Sequence, residues 1–199
     1  MYRHRCREAR YLKRGERMRD FVFGYNDGAV TTLAILTALV SSSVVDSFVV
    51  ILGALASIIG SSISLAFSDY ISVKSQIEVL KGFAMNRKLS RHEKDEAADI
   101  MSELDHPGKI AMNTAVSFAV AGFIALLPFF FMKDAPALVV SIIVTFSSVF
   151  VAGMLRSKYT HGNAMRSGAE MLAIAAIALI AAFFIGTYAP SLLGISVVV

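Results

Sequence analysis

Two carboxylates stand in stretches of sequence that are otherwise suited to lipid. Asp27 lies six residues inside an apolar segment running from Phe21 to Val45, in the string FGYNDGAVTTLAILTALV, and Asp69 lies in the next apolar segment, in ISLAFSDYISVKSQ. An ionisable residue at the centre of a bilayer helix costs about 2.5 to 3.5 kcal/mol to insert, somewhat less near an end, and is a functional-site candidate by default. Two such residues in neighbouring helices point to a polar site inside a membrane protein. Low dielectric disfavours the charged carboxylate and a bound divalent cation restores it, so protons and metal compete for one group. If Asp27 faces each side of the membrane in turn, that competition couples metal movement to opposite proton movement with no covalent step. Tyr25, Asn26 and Tyr70 are candidates for supporting hydrogen bonds, and Glu170 with Met171 enters the last apolar segment from the same side. For Glu170 a surface position at a helix N-terminus, where the dipole favours an acid, is an equal reading. Met154 and Met112 read as packing residues.

The elements that must position these groups follow from composition. A chain of 199 residues with 56% hydrophobic and 17% charged residues has too little polar surface for a soluble domain and reads as an integral membrane protein. Five segments, about 21 to 45, 48 to 73, 110 to 132, 135 to 157 and 169 to 189, are long enough to cross hydrocarbon as helices. Helices are required because an isolated strand leaves its backbone unsatisfied in lipid. The expected class is therefore an all-α membrane protein of five transmembrane helices. It divides into a basic arm (1–20), helices one and two (21–73), a polar insertion (74–109), helices three to five (110–189) and an apolar tail (190–199), too short to span. Of the 19 Lys and Arg residues, 18 fall in the arm, the insertion and the 156–166 loop, and only Lys133 falls on the other side. The positive-inside rule then makes the N-terminus cytoplasmic and the C-terminus external. Directly before a span, the arm RHRCREARYLKRGERMR suits topogenesis and anionic lipid and not nucleic acid. The first span reads as a retained anchor and the single Cys6 as inert.

The insertion reads as two short helices broken near Gly82 and Asn86. In the second, Ser90 and Glu93 form a capping box and Pro107 and Gly108 stop the helix. Glu93, Glu96 and Glu103 share one face, with Ala97, Met101 and Leu104 on another. Carboxylates at this spacing can hold a divalent cation, with His92 or His106 as nitrogen donors, and a solvated acidic face is the alternative. In the second span small residues recur every fourth position, at Gly53, Ser57 and Ser61 and again at Ala56, Gly60, Ser64 and Ser68, which lets helices approach closely. The hydroxyls of Ser61, Ser64 and Ser68 are also placed to line a polar path. Five helices enclose a pathway poorly, so a homodimer with the conduit between subunits is expected.

DGAVTTLAILTAL after a basic arm, followed by GALASIIGSSISLAFSDYISVKSQ, resembles the first two spans of the vacuolar iron transporter family. NTAVSFAVAGFIALLPFFF and GMLRSKYTHGNAMRSGAEMLAIAAIA resemble its third span and its fourth-to-fifth junction, so the likeness extends from about Phe21 to Tyr188. The resemblance implies a dimeric five-helix exporter of Fe²⁺, often also Mn²⁺, working against protons, with the metal as cargo and no resident cofactor. It implies that Asp27 binds metal in the pathway, that Asp69 beside Tyr70 lies near the cytoplasmic mouth, and that Glu93, Glu96, Glu103 and Met101 collect metal. A prokaryotic-type member in a plasma membrane, with a short cytoplasmic region, is expected. Leu65 departs from the family, which often has Met after the Ser of span two. Loss of a soft sulfur tilts an oxygen-rich site from Fe²⁺ toward Mn²⁺. The acidic region is also shorter and poorer in Glu than in the best-developed members. Two other classes fit less well: an intramembrane aspartyl protease, whose Tyr-Asp and Gly-x-Gly-Asp motifs are missing, and a scaffold in which Asp27 caps or pairs with Lys74 or Arg156.

Overall fold

The computed structural model describes residues 2–43, 45–84, 106–160 and 163–192. Their secondary structure is helical: α1 (Tyr2–Ser42), α2 (Ser47–Ala84), α3 (Pro107–Leu126) continued by a 3₁₀ turn (Leu127–Phe130), α4 (Asp134–Thr160) and α5 (Ala164–Leu192). Four of these are long and apolar enough to cross a membrane: Ser47–Gly82, Pro107–Phe130, Asp134–Ser157 and Ala164–Leu192. The chain is thus an integral, multi-pass membrane protein. The first expected span, within α1, is not among the four. Tyr25, Asn26 and Asp27, followed by Thr31, Thr32 and Thr37, interrupt its apolar run.

That same helix is nevertheless the centre of the bundle, since α1 packs against α2, α3, α4 and α5. Glycine allows several of these approaches to be close. A Cβ at Gly24 would run into the Ser117 hydroxyl and the Thr114 carbonyl of α3, and one at Gly28 into the Phe118 backbone. Further along, Gly186 of α5 lies against the backbone of Ala38, and Gly153 of α4 lies against Gly168 of α5. Helices in lipid associate through such van der Waals contact, without the hydrophobic driving force available in water.

Two apolar clusters fill the interior. One, toward the end carrying the α1–α2 and α3–α4 turns, joins Leu36, Val50, Ala54, Ile58, Ala125, Leu126, Phe129 and Ala137. The other, toward the N-terminal end, joins Val22, Tyr25, Ala29, Ala121, Val149, Ala152 and Met171. The Ser47 hydroxyl donates to Asp134 Oδ1 at 2.8 Å, which fixes the first residues of α2 and α4 at one level.

One expectation changes. Lys74 to Ala84 continues α2 through Gly82, one of the two places where the sequence suggested a break; the other, Asn86, lies outside the described residues. One glycine costs a helix only about 1 kcal/mol, too little to end it here. The basic arm from Tyr2 is likewise continuous with α1. The acidic helix, with Ser90, Glu93, Glu96, Met101 and Glu103, lies outside the described residues, as does the tail beyond Leu192.

Candidate functional site

Asp27 sits on the face of α1 that its neighbours cover least. Successive α1 residues point to different partners because they are 100° apart. Gly24, Gly28 and Thr32 face α3, while Tyr25 and Ala29 join the cluster with α4 and α5. Asp27, Val30, Thr31 and Ala34 remain half-buried and Phe23 is exposed. One turn on, the Thr31 hydroxyl donates to Asp27 Oδ1 at 3.5 Å, a long bond that leaves most of the carboxylate's accepting capacity unused. Thr31 was not picked out from sequence, although its i+4 spacing from Asp27 was a sufficient signal.

Asn26 is half-buried, and its Oδ1 is sealed from solvent with no hydrogen-bond partner. Tyr25, expected to support the site, places its ring in the core and stacks on Phe21 at 5.8 Å between centroids. Asp69 is half-buried and Tyr70 is exposed, both on α2. Counting 1.5 Å per residue from the turn between Ser42 and Ser47, Asp27 lies about 22 Å deep and Asp69 about 33 Å. The two carboxylates therefore stand at different depths, roughly 10 Å apart along the bundle axis, with Leu65 between them in level. That spacing suits two stations on a path and does not suit a dyad sharing one proton.

α2 leaves much of its surface open. Val50, Ala54 and Ile58 are buried, but from Ile59 to Ser72 no residue is. Of the small-residue stripes, Gly53 would place a Cβ 3.4 Å from Leu39 Cδ1, whereas Gly60 would meet nothing within 4 Å. Ala56, Gly60, Ser64 and Ser68 are exposed and Ser61 is half-buried, so this stripe is turned away from the subunit's own helices. Glu170 is on the surface and pairs with Arg166 one turn earlier at 3.2 Å. Of its two readings, the structure supports the surface one. Among the described residues, no three of His, Cys, Asp and Glu come together as a metal cage within one subunit.

The model of the VIT family matches residues 18–104 and 83–187. "Vacuolar iron transporter homolog 2" of Arabidopsis thaliana is 26% identical over 163 residues, covering 81% of this chain and 79% of the relative. "Vacuolar iron transporter 1" of the same plant is 24% identical over 220 residues, covering 87% and 86%. "Vacuolar iron transporter" of Centaurea cyanus is 24% identical over 217 residues, covering 85% and 86%. Proteins of this family are transporters and not enzymes, which sets aside the proteolytic reading of the two aspartates. On the family match over most of its length, the chain belongs to the VIT family, the vacuolar iron transporter family.

Proposed function

We propose that this protein is a divalent metal transporter that exports Fe²⁺, Mn²⁺ or both from the cytoplasm in exchange for protons. The observation that carries the reading is Asp27. It is a carboxylate on the central helix, half-buried, held by one long hydrogen bond, on the face that the subunit's own helices leave partly open. A group in that position can be desolvated yet still reach a cargo ion. Relatives named as vacuolar iron transporters support iron as one cargo. Leu65, in place of a thioether, leaves oxygen donors dominant and widens the choice toward Mn²⁺.

In this reading α1 crosses the membrane as a fifth span. It packs against all four apolar helices, which bury Thr32 and Thr37 and leave Asp27 half-buried. The arm, the α4–α5 loop and the stretch from Lys74 to Lys109 carry 18 of 19 Lys and Arg and lie in the cytoplasm, with Lys133 and the C-terminus outside. Asp69 and Tyr70 then stand near the cytoplasmic mouth and Asp27 deeper. Glu93, Glu96 and Glu103, with Met101, act upstream as a collecting helix. The chain works as a homodimer. Its open α2 face, with Gly60 and Ser64, seats on a second copy, so that two Asp27 side chains and the Ser61 and Ser64 hydroxyls line one conduit between subunits. A prokaryotic plasma membrane is the proposed location.

The cycle needs only competition at Asp27. The ionised carboxylate takes a cation from the cytoplasmic side, releases it outside when a proton replaces it, and returns neutral. Reconstitution in proteoliposomes with a lumenal pH dye tests this. Metal entry accompanied by opposite proton movement is expected, and well-folded protein that moves neither Fe²⁺ nor Mn²⁺ would overturn it.

A further inference from the structure

Hydroxyls in this bundle are commonly spent on their own helix. Thr37, Ser42, Ser62, Thr114, Ser147 and Ser157 each donate to a backbone carbonyl one turn back, at 2.6 to 3.2 Å. Such bonds are the ordinary local partner of Ser and Thr inside a helix. Thr31 of α1 departs from the habit. The acceptor a helix offers it is the Asp27 carbonyl, yet the Thr31 hydroxyl turns to the Asp27 side chain and stands 3.5 Å from Oδ1.

The two residues share one surface. Four apart on a helix, their side chains are neighbours, and both are half-buried on the side of α1 that the other helices leave partly open. The next residue, Thr32, is buried and lies where a Cβ at Gly122 of α3 would meet its hydroxyl. Of two consecutive threonines, one therefore packs against α3 and the other borders the open face beside the carboxylate.

A hydroxyl bonded tightly to an ionised carboxylate settles at about 2.5 to 2.7 Å. The 3.5 Å found here is slack for that bond. Two oxygens at right angles on one divalent cation, each about 2.1 to 2.5 Å from it, stand about 3.0 to 3.5 Å apart. We propose that the Thr31 hydroxyl oxygen is a ligand of the cargo cation, on the edge it shares with Asp27 Oδ1. Without an ion the hydroxyl proton points at the carboxylate. With one, that proton rotates outward and a lone pair faces the metal, so no proton is gained or lost at Thr31. Water and a second copy of the chain fill the remaining positions. A neutral hydroxyl beside a carboxylate is a hard donor set, so Thr31 acts with Leu65 to favour Mn²⁺ over softer ions. This inference rests on the transport reading above and adds a ligand to it.

The test compares native protein, Thr31→Val, Thr31→Ser and Thr31→Cys in proteoliposomes at matched dimer content. The readouts are the half-saturating Mn²⁺ concentration for flux, inhibition of Mn²⁺ flux by Cd²⁺, and thermal unfolding. Valine keeps the shape and has no lone pair, so Thr31→Val is expected to raise the half-saturating Mn²⁺ concentration about tenfold or more with a native melting temperature, and Thr31→Ser to behave as native. A thiol at the same place touches the ion only if the native oxygen does, so Thr31→Cys is expected to shift the competition toward Cd²⁺ about tenfold. Native half-saturation in Thr31→Val overturns the inference whatever the cysteine variant does. Weakened flux in Thr31→Val with native Cd²⁺ competition in Thr31→Cys overturns it as well, since Thr31 would then support the carboxylate without touching metal. Should Thr31→Val fail to assemble, the Cd²⁺ competition in Thr31→Cys decides alone. Native protein that moves no metal defeats the transport reading itself, a result distinct from native Mn²⁺ flux that persists in the valine variant.

Discussion

Gly28→Ala perturbs a tight backbone crossing between α1 and α3, and its cost can be worked from the contact. The added methyl would lie 2.8 Å from both Cα and C of Phe118 and closer still to the Phe118 carbonyl oxygen, whereas ordinary contact begins near 3.4 Å. The obstacle is backbone, so no side chain can rotate away. α1 and α3 must separate by about 0.6 Å or more, which places the cost near the upper end of the 1 to 3 kcal/mol typical of overpacking. Alanine returns up to about 1 kcal/mol through its better helix propensity. The net loss is about 2 kcal/mol, or about 4 to 8 °C in melting temperature for a chain of this size. Gly82→Ala is the matched control, because a Cβ there meets nothing within 4 Å. It should gain up to about 1 kcal/mol. Thermal unfolding of both variants in one detergent, followed by circular dichroism because the chain has no Trp, gives the comparison. Gly28→Ala melting at or above the native temperature would refute the argument that glycine is required at this crossing.

Further outcomes follow from the same geometry. Glu170→Gln removes an exposed pair with Arg166 and should leave metal flux unchanged, with stability altered by no more than about 0.5 kcal/mol; a large fall in flux would make Glu170 part of the pathway. Leu65→Met restores a thioether between the levels of Asp27 and Asp69 and should raise Fe²⁺ transport relative to Mn²⁺ in paired competition assays. Gly60→Leu adds a side chain where the subunit itself has open space, so unfolding of the subunit should hardly change while the dimer fraction falls in mass photometry or cross-linking. An intact dimer would move the interface away from the α2 stripe.

Much of this architecture is legible in the sequence, and the parts that are not have identifiable causes. Apolar runs alone locate α3, α4 and α5 to within a few residues, because the hydrocarbon thickness sets their length. They do not give α1 its central place. The polar residues that make it the site also weaken its apolar signal. The four-residue spacing of small residues is visible in both α1 and α2, but spacing does not say which partner each stripe meets. Gly24 and Gly28 are used inside the subunit, whereas Gly60 faces outward. Asp27 stands out in the sequence because a carboxylate in lipid is rare.

Fe²⁺ and Mn²⁺ flux into proteoliposomes with a lumenal pH dye, measured for the native chain and for Asp27→Asn at matched dimer content, tests the central claim most directly. Metal movement with opposite proton movement in the native chain, both lost in the variant, is the predicted result. Normal coupled transport by Asp27→Asn would contradict the account, because the half-buried carboxylate of the central helix would then be neither the metal's ligand nor the proton's carrier.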